Sequence, residues 1–310
     1  MEQQSIIANA SGRIDIVLSS QADIARSDAK RAVEAKLVLI DGKRAKKPSD
    51  HVNEHQEISY CLPTQAESVI APVDLQLEIL YEDNDCFVIN KPRGIAVHPG
   101  SGMDKNEVTV LHGIAFYCKE NNIPFTADAS LVHRLDKGTT GCLLIAKTKS
   151  VHEALQKQFQ ERTVQKFYHA LVSDVPKNVK ALIDSPIDRD KVDRTKYQVS
   201  GGATARSAQT TYCILWNNNK VALLECELHT GRTHQIRVHL HAIGHAIIGD
   251  KKYTNDKNNE ISTLLKAPEF CLHAKALAFK TMKGEQVSVE ANYDKVLQIV
   301  VDDLGITGGR

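Results

Sequence analysis

The sequence has almost no excess charge and few aromatic residues. Its 310 residues carry a formal net charge of +1, and aromatic residues make up 5% of them, with a single Trp. A chain this close to neutrality does not, taken as a whole, indicate a polyanionic partner. Hydrophobic residues make up 42%, which suffices for one large domain, or for a large domain and a small one.

The sequence also lacks long apolar runs and paired cysteines. No apolar run approaches the length of a transmembrane helix, and residues 1–4 are polar and acidic rather than signal-like. The seven cysteines are scattered and contain no C-x-x-C pair, which argues against a disulfide framework or a zinc knuckle. We therefore expect free thiols, a cytoplasmic location and no membrane association.

Several catalytic signatures are missing as well. The sequence contains no G-x-x-x-x-G-K-[ST], no G-x-G-x-x-G, no serine elbow and no H-E-x-x-H. Nucleotide hydrolysis, hydride transfer and zinc hydrolysis therefore lack the residues by which they are usually recognised.

One short stretch departs from the neutral average. Residues 26–47 contain eight basic residues and three acidic ones. A local basic patch on a neutral chain indicates a docking surface for a phosphate backbone, although a solvated helix face would have the same composition.

The pattern of linkers and strands predicts two domains of unequal size. Pro63 and Pro72 mark a linker. The expected order is a tail at 1–12, a small α+β domain at 13–62, a linker at 63–75, a large domain at 76–302 and a tail at 303–310.

Local signals in the small domain predict two helices followed by short strands. The spacing of Ile14, Val17 and Leu18 is helical, and Ser27 is expected to cap a second helix that reaches about Lys36. The pair Asp41-Gly42 indicates a hairpin. Strands are expected around it at 38–40 and 58–62.

The sequence of the large domain predicts mainly strands. Ser150 and Glu153 form a capping-box pattern for one helix. Strands outnumber helices and do not alternate regularly with them, which predicts an α+β fold with a mixed, largely antiparallel sheet and flanking helices. The expected strands include 77–81, 86–90, 143–146, 164–172 and 221–228.

The most informative stretch is 133–141, which reads HRLDKGTTG. In an extended backbone Arg134 and Asp136 would point the same way. Gly138 and Gly141 bracket a turn in which positive φ is allowed, and an apolar strand follows. Asp136 is therefore a candidate reactive carboxylate, while the plainer alternative is an Asp that caps its own turn.

A second dense motif lies at 229–245 and contains five histidines. A metal site is the less favoured interpretation, since only Asp250 lies nearby as an additional ligand. The spacing instead predicts a helix at 233–244 with Ile236, Leu240 and Ile243 facing the core. Arg237 would lie at the edge of that core and need a carboxylate partner, for which Asp136 is the candidate.

Tyr168 is a third candidate. Its ring is flat with one polar end, which suits stacking on a nucleobase, although plain core packing is the commoner role for such a residue. Lys166 lies on the same face of the predicted strand at 164–172.

Taken together, these motifs resemble the pseudouridine synthases of the RluA/RluD family over nearly the whole chain. The resemblance rests on five segments in the order the family has them, namely NKPRG at 90–94 with VHPG at 97–100, HRLDKGTTG at 133–141, KFY at 166–168, GRTHQIRVH at 231–239 and LHA at 272–274.

The resemblance implies that the chain isomerises uridine within RNA, with no metal or organic cofactor. It assigns Asp136 as the nucleophile and Arg237 as its ion-pair partner. Tyr168 would stack on the flipped uracil and help to remove the proton on carbon 5. Further substrate contacts would come from Arg134, which fills the gap left by the extruded nucleotide, from Leu272, which closes the apolar wall, and from His133, Lys166 and Arg232.

The small domain is similar to the S-four-type RNA-binding domain, on the basis of the sequence VLIDG at 38–42 and the basic helix before it. The implied partner is large-subunit, 23S-type ribosomal RNA or a pre-ribosomal particle, bound by a monomer. Transfer RNA as substrate, a non-catalytic RNA-binding assembly factor and a metal nuclease are the alternatives. The residues expected to dock RNA are Arg26, Lys30, Arg31, Lys43, Arg44, Lys46 and Lys47.

Overall fold

The computed structural model describes residues 3–62, 70–100, 103–104, 106–267 and 269–306. The chain divides into two compact units, Met1–Val69 (the small unit) and Ile70–Arg310 (the large unit). The division falls within the stretch 63–75 that the prolines predict as a linker. Residues 63–69 of that stretch lie outside the described residues.

The small unit combines two helices with short antiparallel strands. Four of the strands described form a sheet in the order β1-β6-β3-β4, while β2 pairs with β5. The elements are β1 (Gln4–Ile7), β2 (Gly12–Arg13), α1 (Ile14–Gln21), α2 (Arg26–Glu34), β3 (Val38–Ile40), β4 (Lys43–Arg44), β5 (His51–Val52) and β6 (Glu57–Tyr60).

The expected tail at 1–12 is wrong from residue 4 onward. Strand β1 pairs antiparallel with β6, and Ile6 lies opposite Ile58. Ala8 is fully buried behind it. The sequence of β1 does not alternate clearly between polar and apolar residues, so only its distant partner makes it a strand.

The two helices lie close to their predicted positions. Helix α2 begins at Arg26 because the amide of Asp28 already bonds the carbonyl of Ala25. Ser27 therefore lies inside the first turn and is not the N-cap, which corrects the sequence prediction. The β3–β4 hairpin is confirmed: Asp41 and Gly42 at its turn have φ of 46° and 74°, the positive values that a tight hairpin turn requires.

The large unit is built around one sheet. Its helices are α3 (Val110–Glu120), α4 (Ala127–Ser130), α5 (Lys149–Gln160), α6 (Gln235–Ala242), α7 (Asp256–Leu264) and α8 (Lys295–Asp303). Its strands are β7 (Glu78–Glu82), β8 (Cys86–Lys91), β9 (Thr140–Ala146), β10 (Gln165–Ser173), β11 (Lys180–Asp184), β12 (Ile187–Arg189), β13 (Tyr197–Val199), β14 (Gln209–Asn217), β15 (Val221–Leu228), β16 (Leu272–Lys280) and β17 (Gln286–Glu290).

The sheet topology confirms the predicted mixed, largely antiparallel architecture. Nine of the described strands form the sheet, in the order β11-β14-β15-β10-β16-β9-β8-β7, with β17 paired to β16. Strands β16 and β9 run parallel, with His273 opposite Thr140, and the other pairings in this sheet are antiparallel. Strands β12 and β13 form a separate hairpin.

Apolar side chains cover both faces of the central strands. On β8, Phe87 and Ile89 face one core, which includes Ile114 of α3, and Val88 faces a second core, which includes Leu155 of α5. Burial of each such side chain contributes roughly 1.5–3 kcal/mol. Because both faces are packed, the loops at the strand ends are held on a rigid support.

Helix ends in the large unit differ slightly from expectation. Thr148, not Ser150, caps α5, because its hydroxyl accepts the amide of Val151 at 3.3 Å. Helix α6 stops at Ala242, so Ile243 falls beyond the helical period and is 39% exposed rather than core. Gly244 follows with a φ of 88°, as a residue that ends a helix commonly does.

Parts of the expected linker and of the expected C-terminal tail pack against the large unit. The amide of Val73 donates to the carbonyl of His112 at 3.1 Å, so the second part of the expected linker runs along α3. At the other end Ile306 is buried against the core that includes Val300 and Val301. Residues 307–310 of the expected tail lie outside the described residues.

The cysteines are free thiols, and five of the seven are buried, as expected. No helix in the part of the chain that the structure describes is long and apolar enough to cross a membrane.

Candidate active site

All eight residues predicted for the catalytic and substrate-binding site line a single cavity of about 430 Å³ in the large unit. This volume falls within the usual range for small-molecule sites. Segments from the loop before β9, from β10, from the turn after β15, from α6 and from the start of β16 contribute to it. The eight residues are Arg134, His133, Asp136, Lys166, Tyr168, Arg232, Arg237 and Leu272.

Asp136 stands on the turn that leads into β9. The amide of Thr139 closes this turn on the carbonyl of Asp136 at 3.0 Å. Gly141 has a φ of 103°, and a Cβ there would lie 2.2 Å from the carbonyl oxygen of Ala274, so no other residue fits.

Gly138, the first glycine of this turn, is needed for space and not for positive φ, which corrects the expectation for it. A Cβ at Gly138 would lie 2.7 Å from the ring of Phe270. Phe270 therefore packs directly onto the backbone of the turn that carries Asp136.

The predicted ion pair between Asp136 and Arg237 is present. Nη1 of Arg237 donates to Oδ2 of Asp136 at 2.9 Å, and the two side chains are 7% and 19% exposed respectively. Helix α6 carries Arg237 on the face that is otherwise packed into the core through Ile236 and Leu240. A charge-assisted hydrogen bond of this kind fixes the orientation of the carboxylate.

Asp250, which the sequence suggests only as a metal ligand, is a partner of Arg237, and sequence reasoning missed this role. Its side chain is fully buried and accepts two hydrogen bonds from Arg237, from Nε at 2.7 Å and from Nη2 at 3.0 Å. The backbone amides of Lys252 and Tyr253 donate to the same carboxylate. The available signal was a lone acidic residue directly after an apolar run, which did not point to a partner in α6.

The Arg237 guanidinium is enclosed on its faces as well as its edges. Its carbon lies 4.3 Å from the ring centre of Phe270 and 5.0 Å from that of Tyr253, distances at which cation–π attraction operates. Burial by itself would lower the pKa of Arg237, but the hydrogen bonds and charge of Asp250, with Asp136, raise it. Arg237 therefore stays charged and immobile beside Asp136.

Tyr168 lies on β10 and is buried except where its ring faces the cavity. Burial, and next the negative charge of Asp136, raise the pKa of Tyr168 well above its usual value. The ring therefore remains a neutral phenol, which suits stacking and makes proton removal by a phenolate costly. Leu272, Leu228 and Ile236 supply apolar wall around it.

Most of the charged side chains that line the cavity are positive. Among the described lining residues, Asp136 is the one carboxylate. Arg134 is exposed, whereas Lys166 is nine-tenths buried. Burial, and next the nearby charge of Arg162, lower the pKa of Lys166. Arg232 is held in place by a hydrogen bond from its Nε to the carbonyl of Ser207 at 3.0 Å. This wall suits an anionic, planar ligand.

The histidines of the site are engaged with the protein. Nε2 of His133 accepts the amide of Leu144 at 2.9 Å, and its ring stacks on Phe159. Burial, and next the charge of Lys166, lower the pKa of His133 to about 3, so its imidazole is neutral. His133 therefore binds β9 at Leu144 while lining the cavity.

The histidine-rich segment does not form a metal cluster. His239 bonds Thr210 and the carbonyl of Ser185, and His234 bonds the hydroxyl of Tyr253. Within residues 3–62, 70–100, 103–104, 106–267 and 269–306, no group of three potential ligands is placed to hold a metal.

The seven expected RNA-docking residues lie in the small unit and fall into two groups. On α2, Arg26 bonds the buried Asp15, Lys30 pairs with Glu34 and Arg31 pairs with an acid one turn away. The second group is exposed, and its side chains form no ion pair within 4.0 Å among the described residues. The carboxylate of Asp50 accepts the backbone amides of Lys46 and Lys47 rather than their ammonium groups. We call this second group the basic segment, and it consists of Lys43, Arg44, Lys46 and Lys47.

The large unit thus combines a mixed sheet with an Asp–Arg pair that lies in a basic cavity. Sequence comparison identifies the class of protein to which this arrangement belongs. The RNA pseudouridylate synthase family matches residues 85–242, and the S4 domain matches residues 12–58. The chain therefore belongs to the RNA pseudouridylate synthase family and is an RNA-modifying isomerase with an N-terminal S4 domain.

Individual relatives agree with this assignment. Ribosomal large subunit pseudouridine synthase D of Zymomonas mobilis is 35% identical over 76% of this chain and 75% of its own length. The uncharacterized RNA pseudouridine synthase YlyB of Bacillus subtilis is 33% identical and covers 96% of both chains. Among solved structures, human RNA Pseudouridylate Synthase Domain Containing 4 superposes with a TM-score of 0.60 at 26% identity, over 74% of this chain and 93% of its own.

Proposed function

We propose that this synthase isomerises specific uridines in large-subunit ribosomal RNA, with Asp136 as its nucleophile. The choice of RNA is supported by the names of relatives, several of which are ribosomal large subunit pseudouridine synthases D. Ribosomal RNA as substrate would place the protein in the cytoplasm.

The observation that carries the proposal is the hydrogen bond of 2.9 Å between Asp136 and Arg237 at the base of a basic cavity. A nucleophilic carboxylate must be ionised and must point at its target. Arg237 meets both needs, since its own orientation is fixed by Asp250.

The reaction rearranges bonds without any net gain or loss of atoms. The bond between N1 of uracil and C1′ of ribose breaks, and a bond between C5 and C1′ forms. The proton leaves C5, and N1 ends protonated. Asp136 would form the covalent intermediate with the uridine, at either C1′ of the sugar or C6 of the base, and would be released when the product forms.

The remaining cavity residues would bind the flipped nucleotide. Tyr168 would stack on uracil, and Leu272 would cover its apolar edge. Arg134, on the exposed rim, would occupy the space the nucleotide leaves. Lys166 and Arg232 would contact phosphate. Extrusion of a base costs roughly a few kcal/mol, which these contacts would offset.

The basic segment of the small unit would add affinity through the phosphate backbone. Its ammonium and guanidinium groups are exposed and form no ion pair in the described part of the chain, so phosphates can replace their counterions. The cations of α2 would contribute less because each already has a carboxylate partner.

Release of tritium from RNA labelled at C5 of uridine tests the reaction directly. We expect wild type to release tritium from large-subunit ribosomal RNA and Asp136→Asn to bind the RNA without releasing any. Asp174→Asn is a matched control, because Asp174 pairs with Lys257 and does not line the cavity. Full activity in excess EDTA would separate this reaction from that of a metal nuclease.

Wild type that binds RNA without releasing tritium would make the protein a binding factor and refute the proposal. Release from transfer RNA alone would keep the enzyme and overturn the substrate. Mapping pseudouridine in ribosomal and transfer RNA from cells with and without the gene then identifies the modified positions.

A further inference from the structure

Three segments that are far apart in the sequence meet at the side chain of Arg93. Its Nε and Nη2 donate to the two oxygens of Asp294, each at 2.8 Å. Its Nη1 points the other way and donates to the carbonyl of Phe270 at 2.9 Å and to that of Gly138 at 3.4 Å. The Arg93 and Asp294 side chains are 12% and 20% exposed, so solvent competes little for these bonds.

Two of these contacts are with segments that adjoin the Asp136–Arg237 pair. Gly138 follows Asp136 by two residues in the same turn. Phe270 packs its ring on the guanidinium of Arg237 and also against Gly138. Arg93 therefore binds the backbone of both segments that enclose the reactive carboxylate and its partner.

A neighbouring lysine binds the preceding carbonyl of the same turn. Lys91 is fully buried and donates from Nζ to the carbonyl of Lys137 at 3.0 Å and to that of Pro92 at 2.7 Å. Consecutive carbonyls after Asp136 are thus bound from the end of β8. Unlike Lys91, Arg93 is itself oriented by a carboxylate outside this turn, that of Asp294, which precedes α8.

We propose that Arg93, oriented by Asp294, is a positioning residue that sets the angle of the Asp136 turn relative to Arg237. This inference rests on the proposed role of Asp136. Lysine cannot replace Arg93 here, because a single ammonium cannot bind both oxygens of a carboxylate and two carbonyls on the opposite side. Displacement of a catalytic group by about 1 Å can cost on the order of 100-fold in rate.

Single-turnover kinetics of Arg93→Lys and Asp294→Asn test the proposal. We expect Arg93→Lys to lower the rate constant for tritium release by on the order of 100-fold, while the RNA dissociation constant changes by less than about threefold. Asp294→Asn keeps the guanidinium and should lower the rate by about tenfold. Rates are measured at a temperature at which unfolding curves show every variant to be folded.

Glu82→Gln is the matched control, because Glu82 pairs with the similarly buried Lys147 at 2.8 Å, away from the cavity. It should lower the melting temperature without lowering the rate. A purely structural role for Arg93 predicts that Arg93→Lys behaves like Glu82→Gln, which would overturn the inference. If Arg93→Lys does not fold, the same comparison is made with Asp294→Asn.

The failure of this inference can be told apart from failure of the proposed function. Inactive wild type, or active Asp136→Asn, would refute the function itself. Active wild type with inactive Asp136→Asn and fully active Arg93→Lys and Asp294→Asn would refute only the positioning role.

Discussion

Replacing Asp250 by Asn should destabilise the large unit far more than replacing Asp136 by Asn, although both carboxylates bond the same guanidinium. Asp250 is fully buried and accepts two hydrogen bonds from Arg237, whereas Asp136 is 19% exposed and accepts one. The two positions therefore differ in how far water can replace the lost partner.

The structure gives the size of the difference. Removing one member of a buried ion pair costs about 3–5 kcal/mol, since the other charge remains buried. In Asp136→Asn the Arg237 charge keeps its bidentate partner, and the loss should be about 1 kcal/mol or less. For a unit of this size each kcal/mol shifts the melting temperature by about 2–4 °C. We thus expect a fall of about 6–20 °C for Asp250→Asn and less than about 4 °C for Asp136→Asn.

Thermal and urea unfolding of both variants measure the stability, and tritium release measures the activity. Asp136→Asn should be stable and inactive. Asp250→Asn should be unstable and also slow, because Arg237 loses the bonds that orient it toward Asp136. Equal loss of stability in the two variants would refute the argument from burial.

Three further predictions concern pH, RNA affinity and packing. Burial lowers the pKa of His133 in the folded protein to about 3, below its usual 6.5. Between these values the unfolded chain binds more protons, so the free energy of unfolding falls as the pH drops below about 6.5. In His133→Gln the free energy of unfolding in urea should fall less steeply between pH 7 and 5, and an unchanged slope would contradict a neutral buried ring. Changing the four residues of the basic segment to Ala should weaken RNA binding and reduce the slope of log affinity against log salt concentration by up to about 3, as measured by filter binding. Lys30→Ala removes a cation paired with Glu34 and should change both quantities much less. Equal effects would argue against the segment as the docking surface. Gly138→Ala should lower the free energy of unfolding by about 1–3 kcal/mol through overpacking. It should also slow tritium release, because its Cβ would displace the Phe270 ring that covers Arg237. A variant as active and as stable as wild type would show that the ring can move freely.

Local patterns predict the strands and helices well where burial is periodic. Strand β15 has the predicted bounds, and the hairpin at Asp41-Gly42 forms as its turn residues require. The ends of elements are less predictable, because neighbouring hydroxyls such as Thr148 and Ser150 can each serve as a cap. Strand β1 could not be predicted because its pairing partner lies about fifty residues away.

The candidate site, like the fold, could be predicted from the sequence only in part. The pairing of Asp136 with Arg237 follows from the need of a half-buried guanidinium for a carboxylate. The second carboxylate, Asp250, and the link from Arg93 to Asp294 depend on which loops the sheet brings together. No spacing in the chain encodes a contact between residues 93 and 294, whereas three-dimensional packing makes it directly visible.

The parallel pairing of β9 with β16 has a consequence for which RNAs this enzyme can accept. Gly141 lies directly against the carbonyl of Ala274, so the strand that follows Asp136 and the strand that begins at Leu272 share one backbone junction and cannot separate independently. The two parts of the cavity wall that carry Asp136 and Leu272 are therefore held next to each other by the sheet. We therefore expect the RNA to adapt to the site, so that uridines in loops and at bulges, whose neighbours hold them loosely, reach Asp136 at the lowest cost.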